Sequence, residues 1–235
     1  MFKAVVTDLD GTLLNAEHKV SEFTRKTVKL LLKKGIKFYI ATGRNYLGAK
    51  EAMDELGVQV PLITSHGSVA FDENGNEIFS NKLKREYLDK VLNIDYKSFG
   101  KDIIITGYAG PNWFVTEDLR EYFYNKKPDR TRYPQQITPE EFKKQDFTKI
   151  FFLGEDHDEL LELENEIKRV VGEENISLLF ANEGSLEVFP ADCNKAKAAE
   201  VVLERDGLTL KDAVSFGDGL NDYDLITQTG LGFAM

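Results

Sequence analysis

Short apolar runs alternate with amphipathic stretches along the first third of the chain. Residues 3–7, 37–41 and 61–64 are dominated by apolar side chains and have the length of buried strands. Between the first two runs, a helical stripe of apolar residues begins after Ser21 and stops at Gly35, and a second helix is predicted before the third run. Because strands separated by helices need crossover connections, this pattern predicts a parallel sheet.

The middle of the chain follows a different order, in which predicted strands follow one another directly. Ala109-Gly110-Pro111 predicts a hairpin turn between two of them. One long stretch, residues 157–171, has apolar residues at helical spacing and predicts an amphipathic helix. The predicted strands of this region are residues 102–108, 112–116, 149–154, 176–181 and 185–189. This order is typical of an α+β unit with adjacent strands.

After Pro190 the alternation of strand and helix returns. A helix is predicted at 194–205, a strand at 213–216 and a short helix after Asn221. We therefore expect an α/β fold whose parallel-sheet core is interrupted by an inserted α+β domain. The expected divisions are 1–82 for the first core part, 83–189 for the inserted domain and 190–235 for the second core part.

The composition fits a globular protein and bears on which partners and metal ligands it can have. Of 235 residues, 42% are hydrophobic and 30% are charged, and no apolar run is long enough to cross a membrane. The net charge of −10 disfavours a general nucleic-acid binder, because neutralising phosphates needs clustered cations. A single cysteine, Cys193, and the lack of a recognisable secretory signal lead us to expect a cytoplasmic protein. The three histidines are far apart, so a metal site would use oxygen ligands, which suits Mg²⁺.

Two acidic motifs follow predicted strands. In TDLDGT, Asp8 and Asp10 lie on one side of an extended strand end, where like charges repel unless a cation lies between them or one is protonated. In FGDGLND, Asp218 and Asp222 follow another apolar strand, beside glycines that permit tight bends. An ordinary acidic turn is the plainer interpretation of each motif, and a catalytic carboxylate site at the carboxyl ends of parallel strands is the other.

Two further candidates carry hydroxyl and cationic groups. ATGR follows the second predicted strand, and Thr42 with the backbone N–H groups near it can hold a phosphate. An N-capping threonine and a surface arginine, Arg44, are the plainer interpretation of the same motif. Lys195 begins a predicted helix, where its ammonium group either faces an anion or is simply solvated.

The four motifs support one another when they are taken together. Three strand ends would bring the aspartates and the threonine to one edge of the sheet. Carboxylates that converge without a histidine or a thiol need a divalent metal to remove their repulsion. Lys195 would then bind an anion of the substrate.

In their order along the chain, DLDGT, ATGR, the Lys195 helix and GDGLND resemble the motifs of the haloacid dehalogenase-like hydrolases. The length of the insert resembles the Cof-type, sugar-phosphatase-like branch. The resemblance covers essentially the whole chain, most firmly residues 1–67 and 185–235. It implies a Rossmann-like core, a cap domain inserted after the third core strand, and a phosphoric monoester hydrolase that uses Mg²⁺ to hydrolyse small phosphate monoesters such as sugar phosphates.

The resemblance also implies a role for each motif residue. Asp8 would attack phosphorus and form an aspartyl-phosphate, and Asp10 would protonate the leaving alkoxide and then activate water. Mg²⁺ would be held by Asp8, the backbone carbonyl of Asp10 and Asp218, with support from Asp222 through water, and Asn221 would orient the loop. The implied catalytic residues are Asp8, Asp10, Thr42 and Lys195; the phosphate-binding residues are Asp8, Leu9, Asp10, Gly11, Thr12, Thr42, Gly43, Arg44 and Lys195; and the metal-site residues are Asp8, Asp10, Asp218, Asn221 and Asp222.

Some features depart from the family pattern or leave the substrate open. His66-Gly67 stands where the family often has Asn-Gly, and Ala196 replaces a glycine usual after the lysine. Relatives usually continue beyond the final GLGFAM, so we expect a short second core part. The segment 122–134 mixes aromatic residues with lysines and arginines. Such a segment is either a surface that binds a phosphorylated sugar or nucleotide, or an ordinary solvated loop.

Three alternatives to a phosphatase stay open from the sequence. A phosphomutase of the same superfamily would move phosphate within a sugar. A receiver-type signalling module also clusters aspartate, threonine, lysine and Mg²⁺, but its phospho-acceptor normally follows the third strand and it needs no large insert. A non-catalytic binder would hold phosphate esters without turnover. The expected partner is a small-molecule phosphate ester, and the sequence does not specify the oligomeric state.

Overall fold

The computed structural model describes residues 2–110, 112–119 and 134–235. Residues 122–133 of the basic aromatic segment therefore lie outside the described residues. The chain forms two compact units, Met1–Asn81 with Cys193–Met235 (unit 1) and Lys82–Asp192 (unit 2). That unit 2 acts as a cap stays a prediction.

The described residues contain thirteen strands and seven α-helices. The strands are β1 (Ala4–Thr7), β2 (Lys37–Ala41), β3 (Leu62–Thr64), β4 (Val69–Phe71), β5 (Glu77–Ser80), β6 (Ile104–Ala109), β7 (Asn112–Val115), β8 (Gln135–Gln136), β9 (Lys149–Leu153), β10 (Ile176–Asn182), β11 (Ser185–Pro190), β12 (Ala213–Gly217) and β13 (Leu231–Ala234). The helices are α1 (Glu22–Lys33), α2 (Tyr46–Leu56), α3 (Arg85–Leu92), α4 (Pro139–Phe142), α5 (His157–Val171), α6 (Lys195–Glu204) and α7 (Tyr223–Gln228). None of these described helices has both the length and the apolar character needed to cross a lipid bilayer.

Unit 1 is built on a seven-stranded sheet in the order β13-β12-β1-β2-β3-β4-β5. The strands from β13 to β3 are parallel, and β4 and β5 are antiparallel to their neighbours. In the register, Val6 lies between Tyr39 and Ser215. The parallel-sheet core of the predicted α/β fold is confirmed. The β4–β5 hairpin was not predicted, because runs of three and four residues carry too little periodicity.

Each face of this sheet has its own apolar core, because successive strand residues point to opposite faces. Phe38 and Ile40 pack on one face with apolar residues of α1 and α2. Tyr39 and Ala41 pack on the other face with α6. Helices on both faces keep the sheet buried and leave the strand ends for the site.

Capping residues determine where the helices beside the site begin. Asn45 and Asn194 are the N-caps of α2 and α6, and each side-chain oxygen accepts a hydrogen bond at 2.8 Å from the backbone N–H three residues later. Thr42 is therefore not the N-cap of α2, contrary to the plainer interpretation of ATGR. Gly57 ends α2 in a left-handed conformation, with φ at 67°.

Unit 2 is built on a six-stranded sheet in the order β10-β11-β9-β6-β7-β8. Its strand pairs are antiparallel apart from β7 and β8, which are parallel. Helices α3 and α5 contribute Leu88 and Leu163 to an apolar cluster with Phe152 on one face of the sheet. Trp113 and Phe151 belong to a second cluster, on the opposite face. The predicted α+β pattern of this region is confirmed for the described residues.

Candidate active site

The predicted catalytic residues lie at the ends of neighbouring strands in unit 1. Asp8 follows β1 and Thr42 follows β2, and the strand pairing extends to both residues. The N–H of Asp8 donates to the carbonyl of Phe216 at 3.0 Å, and the N–H of Thr42 donates to the carbonyl of Ile63 at 2.8 Å. Asp218 follows β12. Because these strands are parallel, their carboxyl ends share one edge of the sheet.

Lys195 joins two of the motifs in the buried interior of the site. It is the first residue of α6, and its side chain is 0% exposed. Its Nζ donates hydrogen bonds of 2.6 Å to Oδ1 of Asp8 and of 2.6 Å to Oδ1 of Asp222. A buried ammonium is stable only with hydrogen-bonded partners of opposite charge. The fold thus brings Lys195 to a carboxylate 187 positions away in sequence.

The TDLDGT and GDGLND segments contact each other directly. The hydroxyl of Thr12 donates to Oδ1 of Asp218 at 3.2 Å. Gly11 has a φ of +79°, and a Cβ there would overlap the Asp218 carboxylate, so both conformation and contact require glycine. The Oδ2 atom of Asp222 accepts hydrogen bonds from the N–H groups of Asp218 at 3.2 Å and Gly219 at 3.1 Å, which closes the second loop.

The carboxylates of Asp8, Asp218 and Asp222 fit a divalent cation. Each offers an oxygen atom, and these oxygens all lie within 4.8 Å of one another. With Lys195 they carry three negative charges against one positive charge, a formal sum of −2. Hard oxygen donors are the ligands that Mg²⁺ prefers, and a cation among them would relieve their repulsion. These residues are therefore suited to the metal that the sequence predicts.

The protonation of Asp8 depends on its burial. Burial raises the pKa of Asp8 to about 6, against the opposing charge of Lys195, and the neighbouring carboxylate of Asp222 adds to the rise. At neutral pH the carboxyl is therefore ionised but within reach of protonation. A second cation beside it would favour the ionised form further.

Asp10 points to a different partner from Asp8. Arg44 holds its carboxylate through two hydrogen bonds, from Nε to Oδ2 at 2.7 Å and from Nη2 to Oδ1 at 2.5 Å. His18 lies on the same carboxylate, with Nδ1 at 3.5 Å from Oδ1. Burial opposes ionisation of Asp10, but Arg44, joined by His18, outweighs it and lowers the pKa of Asp10. Sequence reasoning assigned Arg44 to phosphate, and that role stays a prediction.

The remaining predicted residues contribute through their backbones or their small size. The side chain of Leu9 is buried in the apolar core, so its backbone is the part available to a ligand. The hydroxyl of Thr42 accepts a hydrogen bond from the N–H of Arg44 at 3.1 Å, which tightens the ATGR turn. Gly43 packs against the ring of His66, and Asn221 lies beside the same ring.

Sequence reasoning missed two features of this site. It did not pair Arg44 with Asp10, because nothing in sequence spacing links residues 34 positions apart. It noted His66 only as a departure from the family pattern. The available signal was position, because the His66 turn directly follows β3 as the other motifs follow their strands.

Comparisons with known proteins agree over the whole chain. Residues 5–235 match the family model of the haloacid dehalogenase-like hydrolases. The HMP-PP phosphatase of Escherichia coli (strain K12 / DH10B) is 30% identical over 235 residues, which is 100% of this chain and 84% of that protein.

Solved structures share the fold. A haloacid dehalogenase-like hydrolase from Bacteroides thetaiotaomicron has a TM-score of 0.84 and 24% identity, covering 100% of this chain and 88% of that one. A sugar phosphatase of haloacid dehalogenase subclass IIB has a TM-score of 0.78 and 22% identity, covering 99% of this chain and 87% of that one.

Proposed function

The chain belongs to the haloacid dehalogenase-like hydrolase family, and on that premise we propose that it is a Mg²⁺-dependent phosphatase of small phosphate monoesters. The observation that carries the proposal is the bridge of Lys195 between Asp8 and Asp222, with the Asp218 carboxylate close to both. This arrangement supports the proposal of a nucleophile, a cation for phosphate and an acidic pocket for a metal. Covalent catalysis of this kind divides one difficult substitution into two easier ones.

Asp8 is the proposed nucleophile. One of its carboxylate oxygens attacks phosphorus while the bond from phosphorus to the leaving oxygen breaks, which leaves an aspartyl-phosphate. Water then attacks the same phosphorus, the bond to Asp8 breaks, and inorganic phosphate is released. Lys195 holds Asp8 in place at 2.6 Å, and its positive charge reduces the repulsion between a carboxylate and an incoming phosphate.

Asp10 is the proposed acid and base. Its carboxyl group gives a proton to the leaving oxygen in the first step and takes one from the attacking water in the second. The hydrogen bonds from Arg44 favour the ionised form, so we expect Arg44 to separate from Asp10 while Asp10 holds a proton. The assignment is the role that the resemblance to the haloacid dehalogenase-like hydrolases implies for the second aspartate of DLDGT, and the Asp10 carboxylate has a partner other than Lys195.

Mg²⁺ is the proposed metal. Asp8, Asp218 and the backbone carbonyl of Asp10 would hold it, with Asp222 and Asn221 in support. When bound, Mg²⁺ would stabilise negative charge on the phosphoryl oxygens. The carboxylates of Asp8, Asp218 and Asp222 support this choice because they lie within 4.8 Å of one another and carry excess negative charge.

The phosphoryl group would be bound by the loops after β1 and β2. Thr42 and Lys195 offer a hydroxyl and an ammonium group, and the other residues proposed to bind phosphate are Leu9, Asp10, Gly11, Thr12, Gly43 and Arg44. The proteins named above are an HMP-PP phosphatase and a sugar phosphatase, so HMP-PP and sugar phosphates are the small molecules to test first. A cytoplasmic location suits such substrates and stays a prediction.

A panel of phosphate monoesters assayed with and without Mg²⁺ tests the proposal. We expect phosphate release that needs Mg²⁺, and a loss of about 10⁴-fold or more in Asp8→Asn. Asp54→Asn is the matched control, because Asp54 is an exposed partner of Lys50 on α2 and should not affect turnover. Full activity in Asp8→Asn would overturn the assignment of the nucleophile.

Product analysis separates the alternatives. Isomerisation of a hexose 1-phosphate faster than phosphate release would indicate a phosphomutase. A stable phosphoenzyme without turnover would indicate a receiver-type module, and Mg²⁺-dependent binding alone would indicate a non-catalytic binder.

A further inference from the structure

A turn of unusual backbone conformation follows the third parallel strand. Ser65, His66 and Gly67 have φ values of 50°, 59° and 96°, so three consecutive residues lie in the left-handed region. This region favours glycine, and other residues adopt it at a cost in free energy. Strain of this kind persists where surrounding contacts fix the backbone, and it concentrates at functional sites.

Backbone contacts connect this turn to two of the catalytic motifs. The N–H of Ser65 donates to the carbonyl of Arg44 at 2.8 Å, and the N–H of His66 donates to the carbonyl of Thr42 at 3.2 Å. The glycine of the turn lies so close to the carbonyl of Asn194 that a Cβ would overlap it. The turn therefore packs on the ATGR loop and on Asn194, the N-capping residue of α6.

The side chain of His66 extends these contacts to a third motif. The residue is 7% exposed, and its ring lies against Gly43, where an added Cβ would be 2.5 Å from Cε1. Its Nδ1 lies 3.3 Å from Nδ2 of Asn221. Because an amide nitrogen donates and does not accept, this contact is a hydrogen bond when Nδ1 of His66 is the acceptor.

The amide of Asn221 lies between His66 and Gly219. His66 binds its nitrogen, and Gly219 approaches its oxygen so closely that a Cβ on that glycine would lie 2.5 Å from Oδ1. Asn221 lies in the short helical turn Leu220–Asp222, between the carboxylates of Asp218 and Asp222 in sequence. A contact that orients Asn221 therefore also orients this acidic loop.

We propose that His66 is a positioning residue that, through Asn221, holds the Asp218–Asp222 loop in the geometry that its carboxylates need to bind Mg²⁺. The inference rests on the proposed function, because it takes this loop to be part of the metal site. Its effect is indirect, since His66 acts through the amide of Asn221 and through the packing against Gly43. Groups that orient metal ligands in this way typically contribute about 10- to 100-fold to metal affinity or activity.

Three variants test the proposal. His66→Phe keeps an aromatic ring against Gly43 but removes the hydrogen bond to Asn221. His66→Asn keeps an amide that can bond to Asn221, and asparagine tolerates the left-handed conformation. His157→Phe is the matched control, because His157 begins α5 in unit 2 and its Nδ1 contacts a backbone carbonyl.

The readouts are the Kd of Mg²⁺, measured by calorimetry without substrate, and kcat and KM with p-nitrophenyl phosphate. We expect His66→Phe to raise the Kd of Mg²⁺ and to lower kcat by about 10- to 100-fold each, with KM changed less than about threefold. His66→Asn should recover most of both losses, and His157→Phe should match the wild type. An unchanged Kd of Mg²⁺ in His66→Phe, or no recovery in His66→Asn, would overturn the proposal.

A double-mutant cycle tests the route through Asn221. If His66 acts through this amide, combining His66→Phe with Asn221→Ala should cost no more than the larger single effect. Losses that multiply would overturn the proposal. Should His66→Phe fail to fold, the ¹⁵N signal of Nδ1 decides the matter, because Asn221→Ala should shift the signal of His66 and leave that of His157 in place. An unmoved His66 signal would contradict the contact.

The wild type distinguishes failure of this inference from failure of the proposed function. A wild-type protein that hydrolyses no ester with Mg²⁺ would remove the proposed function and the inference with it. A wild-type protein that does so, beside a His66→Phe variant with the same kcat and the same Kd of Mg²⁺, would remove the inference alone.

Discussion

Lys195 in unit 1 and Lys149 in unit 2 are both buried against carboxylates, yet their surroundings differ. The Lys195 side chain is 0% exposed and bonds to Asp8 and Asp222 at 2.6 Å each. The Lys149 side chain is 4% exposed, and its Nζ lies 2.8 Å from Oε1 of Glu187. Burial alone therefore does not mark a lysine as catalytic.

The difference lies in the charge of the partners and in the elements that carry them. Lys149 and Glu187 lie on adjacent antiparallel strands, β9 and β11, and carry one charge of each sign. The rings of Tyr108 and Phe151 lie 5.7 Å from the ammonium group, as in cation–π contacts. Lys195 instead starts a helix, and its carboxylate partners lie in loops at strand ends, with a third carboxylate nearby. Excess negative charge at strand ends, rather than burial, indicates a site that can take another cation.

Replacing each lysine by methionine should separate the two roles most strongly. Methionine fills a similar volume without charge. We expect Lys195→Met to lower kcat/KM by about 10³-fold, the scale on which one charge-stabilising donor contributes to a transition state. Lys149→Met should stay within about threefold of the wild type at a temperature where it is folded. Steady-state kinetics on one phosphate ester would measure both, and equal losses in the two variants would break the comparison.

Thermal and denaturant unfolding should show the role of Lys149. Lys149→Met leaves Glu187 buried without this partner, and removing one member of a buried ion pair costs about 3–5 kcal/mol. The double variant Lys149→Met/Glu187→Leu should recover most of that loss, because apolar residues of similar volume often replace buried pairs without cost. A double variant as unstable as the single one would show that the pair does more than neutralise charge.

The pH dependence of stability should reveal the burial of the Asp8 carboxyl beside Lys195. The pKa of Asp8 is raised to about 6 in the folded protein, above its ordinary value of 3.8. Between these values the folded state binds more protons than the unfolded state, so the free energy of unfolding falls as the pH rises from about 4 to about 6. Protonation of Asp8 contributes at most roughly 3 kcal/mol to the free energy of unfolding of the metal-free protein. Well above pH 6 this contribution is lost in full.

Unfolding by urea at several pH values would measure this contribution. Asp8→Asn should lack this fall in the free energy of unfolding between about pH 4 and pH 6, because an asparagine side chain does not titrate there. Saturating Mg²⁺ should offset the destabilisation by binding the ionised carboxylates. A metal-free wild type with the same pH dependence as Asp8→Asn would mean that Lys195 already balances the charge of Asp8.

Much of this architecture could be predicted from the sequence, because strand–helix alternation and strand-end motifs are local patterns. The predicted family, the α/β fold class and the phosphoric monoester hydrolase are confirmed. Which side chains bond to one another was less accessible, because such contacts depend on three-dimensional approach. The bridge from Lys195 to Asp222 and the bonds from Arg44 to Asp10 connect residues whose spacing carries no signal. The His66 turn has positive φ values, and a histidine in the sequence does not predict them.

The smallest expected effect concerns one carboxylate partner of each lysine, Asp222 beside Lys195 and Glu187 beside Lys149. Asp222→Asn and Glu187→Gln both replace a carboxylate by an amide of similar size. In Asp222→Asn the amide oxygen can still accept from Lys195, but the amide nitrogen replaces Oδ2, which accepts from the N–H groups of Asp218 and Gly219. Because Asp222 belongs to the acidic cluster and Glu187 lies in the other unit, we expect the Kd of Mg²⁺ to rise about tenfold in the first variant and to stay unchanged in the second. A tenfold change corresponds to about 1.4 kcal/mol. Calorimetric titration with Mg²⁺ would measure it, and equal Kd values in the two variants would mean that Asp222 serves Lys195 and its loop rather than the metal.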